Sequence, residues 1–159
     1  MGSAGSPAEQ GLAAGGCFAT LEIGHLEAVA AVERGSFANP WTAEELGWIV
    51  QGDSGLCVGL WVEEGLIGYG IGQTEEGLFH LASLAIDPAW RRQGWGGRLL
   101  LELLSQARRR GCKGCRLEVR TGNLAALNLY HHWAFREERR LVKFYTQPVE
   151  DGLVMYREL

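Results

Sequence analysis

Apolar and polar positions change period several times along this chain, and each change marks an element. Phe18 to Ile23 reads as a first strand. Leu26, Val29, Ala30 and Val32-Glu33 predict a helix over about residues 24–34. Gly35 to Pro40 breaks it, because a proline disfavours helix at the residue before it. Thr42, with Glu45 three positions on, forms a capping box that starts a second helix. Gly52-Asp-Ser-Gly55 ends it. Three strand-like runs follow, Leu56 to Val62, Leu66 to Gln73 and Leu78 to Ile86, joined by short Glu/Gly turns.

Leu100, Leu103, Leu104 and Ala107 then recur at i, i+3, i+4 and i+7, the core stripe of a third helix. Gly111 is its C-terminal cap, behind Arg108-Arg109-Arg110 at the negative end of the dipole. Arg116 to Arg120 alternates as a strand, with Leu117 and Val119 on one face and Arg116, Glu118 and Arg120 on the other. Thr121-Gly-Asn123 opens a short helix through His132. Phe135 to Tyr145 and Leu153 to Leu159 read as closing strands. The order β, α, α, β, β, β, α, β, α, β, β predicts an α/β fold, a mixed sheet with helices on its faces. No internal repeat is evident.

The chain has 159 residues, enough for one domain with a real core, expected over residues 17–159. Met1 to Gly16 is rich in Gly, Ala and Ser and reads as a disordered tail. It has no basic n-region and apolar h-region, so it is not a signal peptide; with no other targeting segment the expected location is the cytoplasm. No apolar run approaches the roughly 20 residues that would cross a membrane. Cys112-Lys-Gly-Cys115 has no second ligand pair at zinc spacing, so the four cysteines read as reduced thiols and no metal is expected. Net charge is −4, unevenly placed. Arg91 to Arg120 carries nine Arg or Lys against two Glu, leaving the rest acidic. That pattern suggests an anionic ligand held locally and a cationic substrate elsewhere, and not nucleic acid, which wants a broad basic face.

Arg91-Arg92-Gln93-Gly94-Trp95-Gly96-Gly97 joins a strand to a helix. Such a turn presents several backbone N–H groups to a phosphate, at the positive end of the helix. It fits neither a dinucleotide fingerprint, since G-x-G-G lacks the third spacing and the later acid, nor a P-loop, since Arg98 follows the glycines. On its own it is equally an ordinary tight turn.

The following segment narrows the reading. Arg91-x-x-Gly94-x-Gly96 resembles the acetyl-CoA signature of the GNAT N-acetyltransferases. Leu117-Glu-Val-Arg-Thr-Gly-Asn123 through Leu129-Tyr130, then Phe135, is similar to the RimI-type branch, which acetylates protein N-termini. Ala134 stands where that branch has Gly, and Arg91 where it often has Gln. The resemblance spans roughly Phe18 to Leu159. It implies the GNAT fold, a mixed sheet of six to seven strands with about four helices, and acetyl-CoA as donor.

It also implies roles. The turn from Arg91 and Arg92 through Gln93, Gly94, Trp95, Gly96 and Gly97 would hold the pyrophosphate, and the backbone of Leu84, Ala85 and Ile86 would pair with pantetheine. A backbone N–H near Ile86 would polarise the acetyl carbonyl. Asn123 would be a cofactor-side Asn, though the pattern alone allows a simple N-cap. Glu118 would be the general base, though alternation alone allows an Arg116-Glu118-Arg120 charge ladder. A carboxylate near its reference of ~4.3 is a weak base, so that role calls for burial or a relaying water. Tyr130 would be the general acid, on the same helix face as Asn123 seven positions earlier, or else a core tyrosine. Phe37, Trp41 and Tyr145 would line the acceptor groove, or merely pack.

The partner implied is a protein N-terminus, by family the alanine of a small-subunit ribosomal protein. An α-amine of pKa ~7.7–8.0 is substantially neutral near neutrality, whereas a lysine of ~10.4 is not, which favours the α-amine for a weak base. A lysine or small-amine acetyltransferase and a non-catalytic CoA-binding protein stand as alternatives. Oligomeric state is not legible.

Overall fold

The structure is a computed structural model that describes residues 15–159. Its elements are β1 Gly16–Thr20, α1 Leu26–Ser36, α2 Ala43–Val50, β2 Gly55–Val62, β3 Gly65–Glu75, β4 Leu78–Ile86, α3 Trp95–Arg109, β5 Gly114–Arg120, α4 Leu124–His132, β6 Arg136–Tyr145 and β7 Glu150–Glu158. One seven-stranded sheet runs in the order β1-β2-β3-β4-β5-β7-β6. Only β4 and β5 pair in parallel, with α3 as their crossover. The predicted order of elements and the mixed sheet are both observed. β1 begins at Gly16, inside the stretch read as a tail; the rest of that stretch, residues 1–14, lies outside the described residues.

Two apolar clusters cover the two sheet faces. On one, Val29, Ala30 and Val32 of α1 and Leu46 and Ile49 of α2 pack on Tyr69, Ile71 and Ala85. On the other, Leu99, Leu100, Leu103, Leu104 and Ala107 of α3 join Leu56, Leu60, Phe79, Leu117 and Tyr130. Each of these large side chains contributes roughly 1.5–3 kcal/mol by leaving water. β3 explains how α3 comes so close. Its alternate residues Tyr69 and Ile71 face α1 and α2, while the face toward α3 is glycine. A Cβ on Gly70 would collide with the side chain of Leu103.

Local signals act as read. Thr42 Oγ1 accepts from Glu45 N–H at 3.2 Å, and the Glu45 carboxylate accepts from Thr42 N–H, closing the capping box. Gly111 is left-handed, with φ of 88°, just past α3. α1 runs on through Gly35 to Ser36, whose hydroxyl donates to Val32 O at 2.7 Å. Cys57, Cys112 and Cys115 are free thiols; burial pushes Cys57 up to about 11 and Cys115 up to about 12. No described helix is long and apolar enough to cross a membrane.

Ala134 departs from the family's Gly at a position where the backbone is left-handed, with φ of 68°. An L residue there costs about 1–2 kcal/mol that glycine does not. Ala134→Gly is therefore expected to raise stability by about 1 kcal/mol, or about 2–4 °C in Tm for a chain of this size. Thermal melts of the two proteins check this; an unchanged or lower Tm would show that the turn is not strained.

Candidate active site

The site is a gap between two neighbouring strands. β4 and β5 pair only from Leu78↔Gly114 to Leu81↔Leu117. Immediately beyond, the register between β3 and β4 slips, and Ala82 becomes an extra residue on β4. The slip exchanges the faces of β4. Phe79 and Leu81 point into the α3 cluster before it, and Leu84 and Ile86 do so after it. Both halves of the strand thus keep their apolar contacts while the chain swings away from β5. From Ala82 to Ile86 the β4 edge has no β5 partner, so alternate backbone N–H and C=O groups face the gap.

The glycine turn leads from the end of β4 into α3. Arg92 and Gly94 are both left-handed, with φ of 62° and 82°. The first helical bond there is Arg98 N–H to Gly94 O at 3.3 Å, so the amides before it have no carbonyl within the helix. They lie at the positive end of the dipole. A Cβ on Gly97 would sit 2.8 Å from Trp133 Nε1, so glycine lets α3 meet the end of α4. At Gly96 the nearest side chains would be Leu129 and Ile86, at 3.7 and 3.8 Å, which places this turn between α4 and the end of β4.

The arginines divide in function. Arg91 Nε donates to Ile86 O at 2.8 Å, and its Nη2 donates to Ser36 Oγ at 3.0 Å. This side chain pins the turn to β4 and α1. Arg92 and Arg98 are exposed, and Arg98 lies over the buried Trp95 ring at 5.6 Å. The predicted basic segment is not one patch. Arg108 to Arg110 stand at the far end of α3, roughly 20 Å from its start. Arg110 there donates to Gly55 O.

A cavity of about 840 Å³ opens beside the gap. Leu84, Glu118, Asn123 and Tyr130 line one part, and Phe37, Trp41 and Tyr145 another. The turn from Arg91 to Gly97 lies outside this lining, as do Ala85 and Ile86, whose side chains are buried and which can offer only backbone.

Glu118 is one-quarter exposed, and the ladder with its neighbours does not form. Arg116 makes a two-toothed pair with Glu138, at 2.8 and 3.1 Å, beneath Tyr156. Arg120 donates to Glu150, Pro148 O and Thr146 O and lies over Tyr145 at 4.4 Å. The partner of Glu118 is His80 of β4, whose Nε2 is 2.9 Å from each carboxylate oxygen. Asn123 is the N-cap of α4, accepting from Ala126 N–H at 3.2 Å through Oδ1, which leaves Nδ2 as the group it can offer a ligand. Tyr130 is 7 % exposed, and burial holds its phenol far above the usual range, so it keeps its proton. Burial, and next the charge of Glu118, push Tyr145 up to about 12.

Two loops close the side of the cavity lined by Phe37, Trp41 and Tyr145. Asn39, between α1 and α2, donates from Nδ2 to Thr146 O, between β6 and β7, at 3.1 Å. Glu33 is 2 % exposed and lines the cavity. Its carboxylate accepts from Trp41 N–H and from Ser83 Oγ, and Ser83 also meets Tyr69 Oη. The charged lining of the cavity is Glu33, Glu45, Glu118 and Glu150 against Arg120 alone. Sequence reasoning missed His80, Ser83 and the role of Glu33. The run Leu78 to Ile86 is legible only as a strand; the β4–β5 register is what brings His80 beside Glu118, 38 positions away.

Residues 22–135 match the acetyltransferase (GNAT) family. The chain is 31% identical over 138 residues to the [ribosomal protein bS18]-alanine N-acetyltransferase of Escherichia coli (strain K12), covering 86% of this chain and 93% of that one. The crystal structure of that E. coli enzyme superposes with a TM-score of 0.84, at 30% identity, over 90% of this chain and 93% of that one. Protein ML0378 of Mycobacterium leprae is 33% identical over 124 residues, which is 76% of this chain and about a third (34%) of that protein. Arabidopsis thaliana NAA60 in complex with acetyl-CoA shares the fold, with a TM-score of 0.82 at 22% identity, over 91% and 99% of the two chains.

Burial raises Glu33 above the ordinary carboxylate range. A raised acid contributes stability that is full below its unfolded value and is lost as pH rises through the folded one. Glu33→Gln is therefore expected to melt at a higher temperature than the parent near pH 8, with the difference shrinking toward pH 4.5. Melts across that range check the sign; a difference that grows on acidification would contradict it.

Proposed function

The chain belongs to the acetyltransferase (GNAT) family, in its RimI-type branch, and from that premise we propose that it acetylates the α-amino group of a protein N-terminus. The first acceptor to test is the N-terminal alanine of ribosomal protein bS18, the substrate named for the E. coli relative. On this reading the enzyme acts in the cytoplasm. The observation that carries the reading is an acidic cavity that holds Glu118 and Tyr130 beside an unpaired strand edge.

Acetyl-CoA would supply an acetyl group already activated as a thioester. The residues fit such a donor: the free β4 edge suits the pantetheine amides, and the open amides at the start of α3 suit the pyrophosphate. Arg92 and Arg98 add positive charge, Arg91 holds the turn, and Asn123 offers Nδ2. Glu33, Glu45, Glu118 and Glu150 favour a cationic acceptor. Phe37, Trp41 and Tyr145 form the walls against which its first side chain would rest. Glu118 takes the proton that the acceptor nitrogen must lose before or as it attacks. Tyr130 gives its Oη proton to the departing sulfur, a role for which a phenol held protonated by burial is suited. The N–C bond forms, the C–S bond breaks, and amide and thiol leave.

Peptides beginning with Ala, peptides beginning with Met, and α-blocked peptides with an internal Lys separate the acceptors. Acetylation at the α-amine of the Ala peptide, located by mass spectrometry, is the expected result; activity on the blocked peptide alone would overturn the reading. Glu118→Gln is expected to lower kcat on the order of 10²–10⁴-fold. Tyr130→Phe should bind acetyl-CoA near normally yet turn over more slowly, as judged by titration calorimetry and single-turnover rates. Full single-turnover activity in Tyr130→Phe would remove it as the acid.

A further inference from the structure

We infer that His80 is the positioning residue of the base: its Nε2–H holds both oxygens of Glu118, and its charge decides how far that carboxylate is left free to meet the acceptor. This rests on the reading of Glu118 as base. The two distances are equal, 2.9 Å to Oε1 and 2.9 Å to Oε2. An ionised carboxylate only accepts, so the ring nitrogen between its oxygens carries the hydrogen. His80 does not line the cavity, whereas Glu118 does, so the imidazole stands behind the carboxylate and not against the acceptor.

The place of this pair in the sheet matters. His80 is opposite Arg116, one step before the last β4–β5 pair, Leu81↔Leu117. Glu118 is the first β5 residue past that pair. The hydrogen bonds therefore bridge the strands where they part. Without them, Glu118 would stand on a strand paired only on its β7 side, with several rotamers open to it. With them, the carboxylate is held by a side chain fixed on the paired half of β4.

The same contact makes the base responsive to pH. The charged groups acting on His80 are Glu118 and Arg116, both of β5. Its partner on β3, Gln73, is uncharged. Tyr145 of β6 feels the charge of Glu118 and is neutral, while Glu138 of β6 occupies Arg116. The bond to Glu118 raises His80 above the ordinary histidine value. When His80 is an imidazolium, it forms an ion pair with the carboxylate and competes with the acceptor amine for it. When His80 is neutral, the N–H still orients Glu118 but no longer neutralises it. Two protons must then leave for full activity, one from the acceptor amine and one from His80.

The test is the pH dependence of kcat/KM at saturating acetyl-CoA for the parent, His80→Gln and His80→Ala. For the parent, log(kcat/KM) should rise with pH at a slope steeper than one on the acid side. For His80→Gln, which keeps an N–H donor and cannot ionise, the slope should fall to one. His80→Ala should lose about 10–100-fold in kcat/KM with the acceptor KM little changed, and His80→Gln should lose less. Curves of parental shape in both variants, whatever their height, would overturn the inference, since a merely structural histidine would move only the height. A second readout needs no acceptor. NMR titration of the His80 ring should give a pKa above 6.5 in the parent, returning toward it in Glu118→Gln. An unchanged titration would also overturn it. If the enzyme acetylates only lysine or a small amine, the profiles are run with that amine, so the acceptor reading fails without deciding this one.

Discussion

The parting of β4 and β5 after Leu81 and Leu117 is the constraint on which the rest of the site depends. Splitting a sheet between central strands leaves backbone groups unpaired, and such groups are costly unless something meets them. Here the cost is limited because the extra residue at Ala82 exchanges the faces of β4. Leu84 and Ile86 take over the core positions that Phe79 and Leu81 held. The strand can thus diverge without withdrawing apolar surface from α3. The opening leaves backbone N–H and C=O groups of β4 free to pair with an extended ligand that carries amides of its own.

Around that opening, charges are sorted more finely than the sequence shows. Nine basic residues cluster between Arg91 and Arg120, yet they are spread over both ends of α3 and along β5. Arg91 ties the turn to Ile86, Arg110 ties α3 to Gly55, and Arg120 holds the β6–β7 loop over the cavity. The cavity keeps an excess of carboxylate instead. Glu33 illustrates the consequence: a carboxylate in the core, served by Trp41 N–H and Ser83 Oγ, placed where an ammonium group would be drawn. Its burial disfavours its own charge, and an incoming cation would offset that.

One side of the cavity is built from contacts between segments far apart in sequence. Asn39 reaches Thr146, and Arg120 reaches Thr146, Pro148 and Glu150. The first of these bonds joins the α1–α2 and β6–β7 loops, and those of Arg120 tie the second loop to β5, all beside the cavity that Glu118 lines.

By itself the sequence determined the order of elements, the capping of α2, the core stripe of α3, its glycine cap at Gly111 and the family. These rest on local preferences and short spacings, which act within a few residues of one another. The alternation of Arg116 to Arg120 separated Glu118 from the core face, and the pattern of α4 put Tyr130 and Asn123 on one side. Tertiary structure decided what each polar group touches. Arg91 became a tether, Asn123 an N-cap, the ladder around Glu118 dissolved, and His80 emerged as its partner. The register of β4 against β5 is set by the packing of α3 on the glycine face of β3 and by the slip at Ala82. That register places residues 38 positions apart within hydrogen-bonding distance, and no local spacing encodes it.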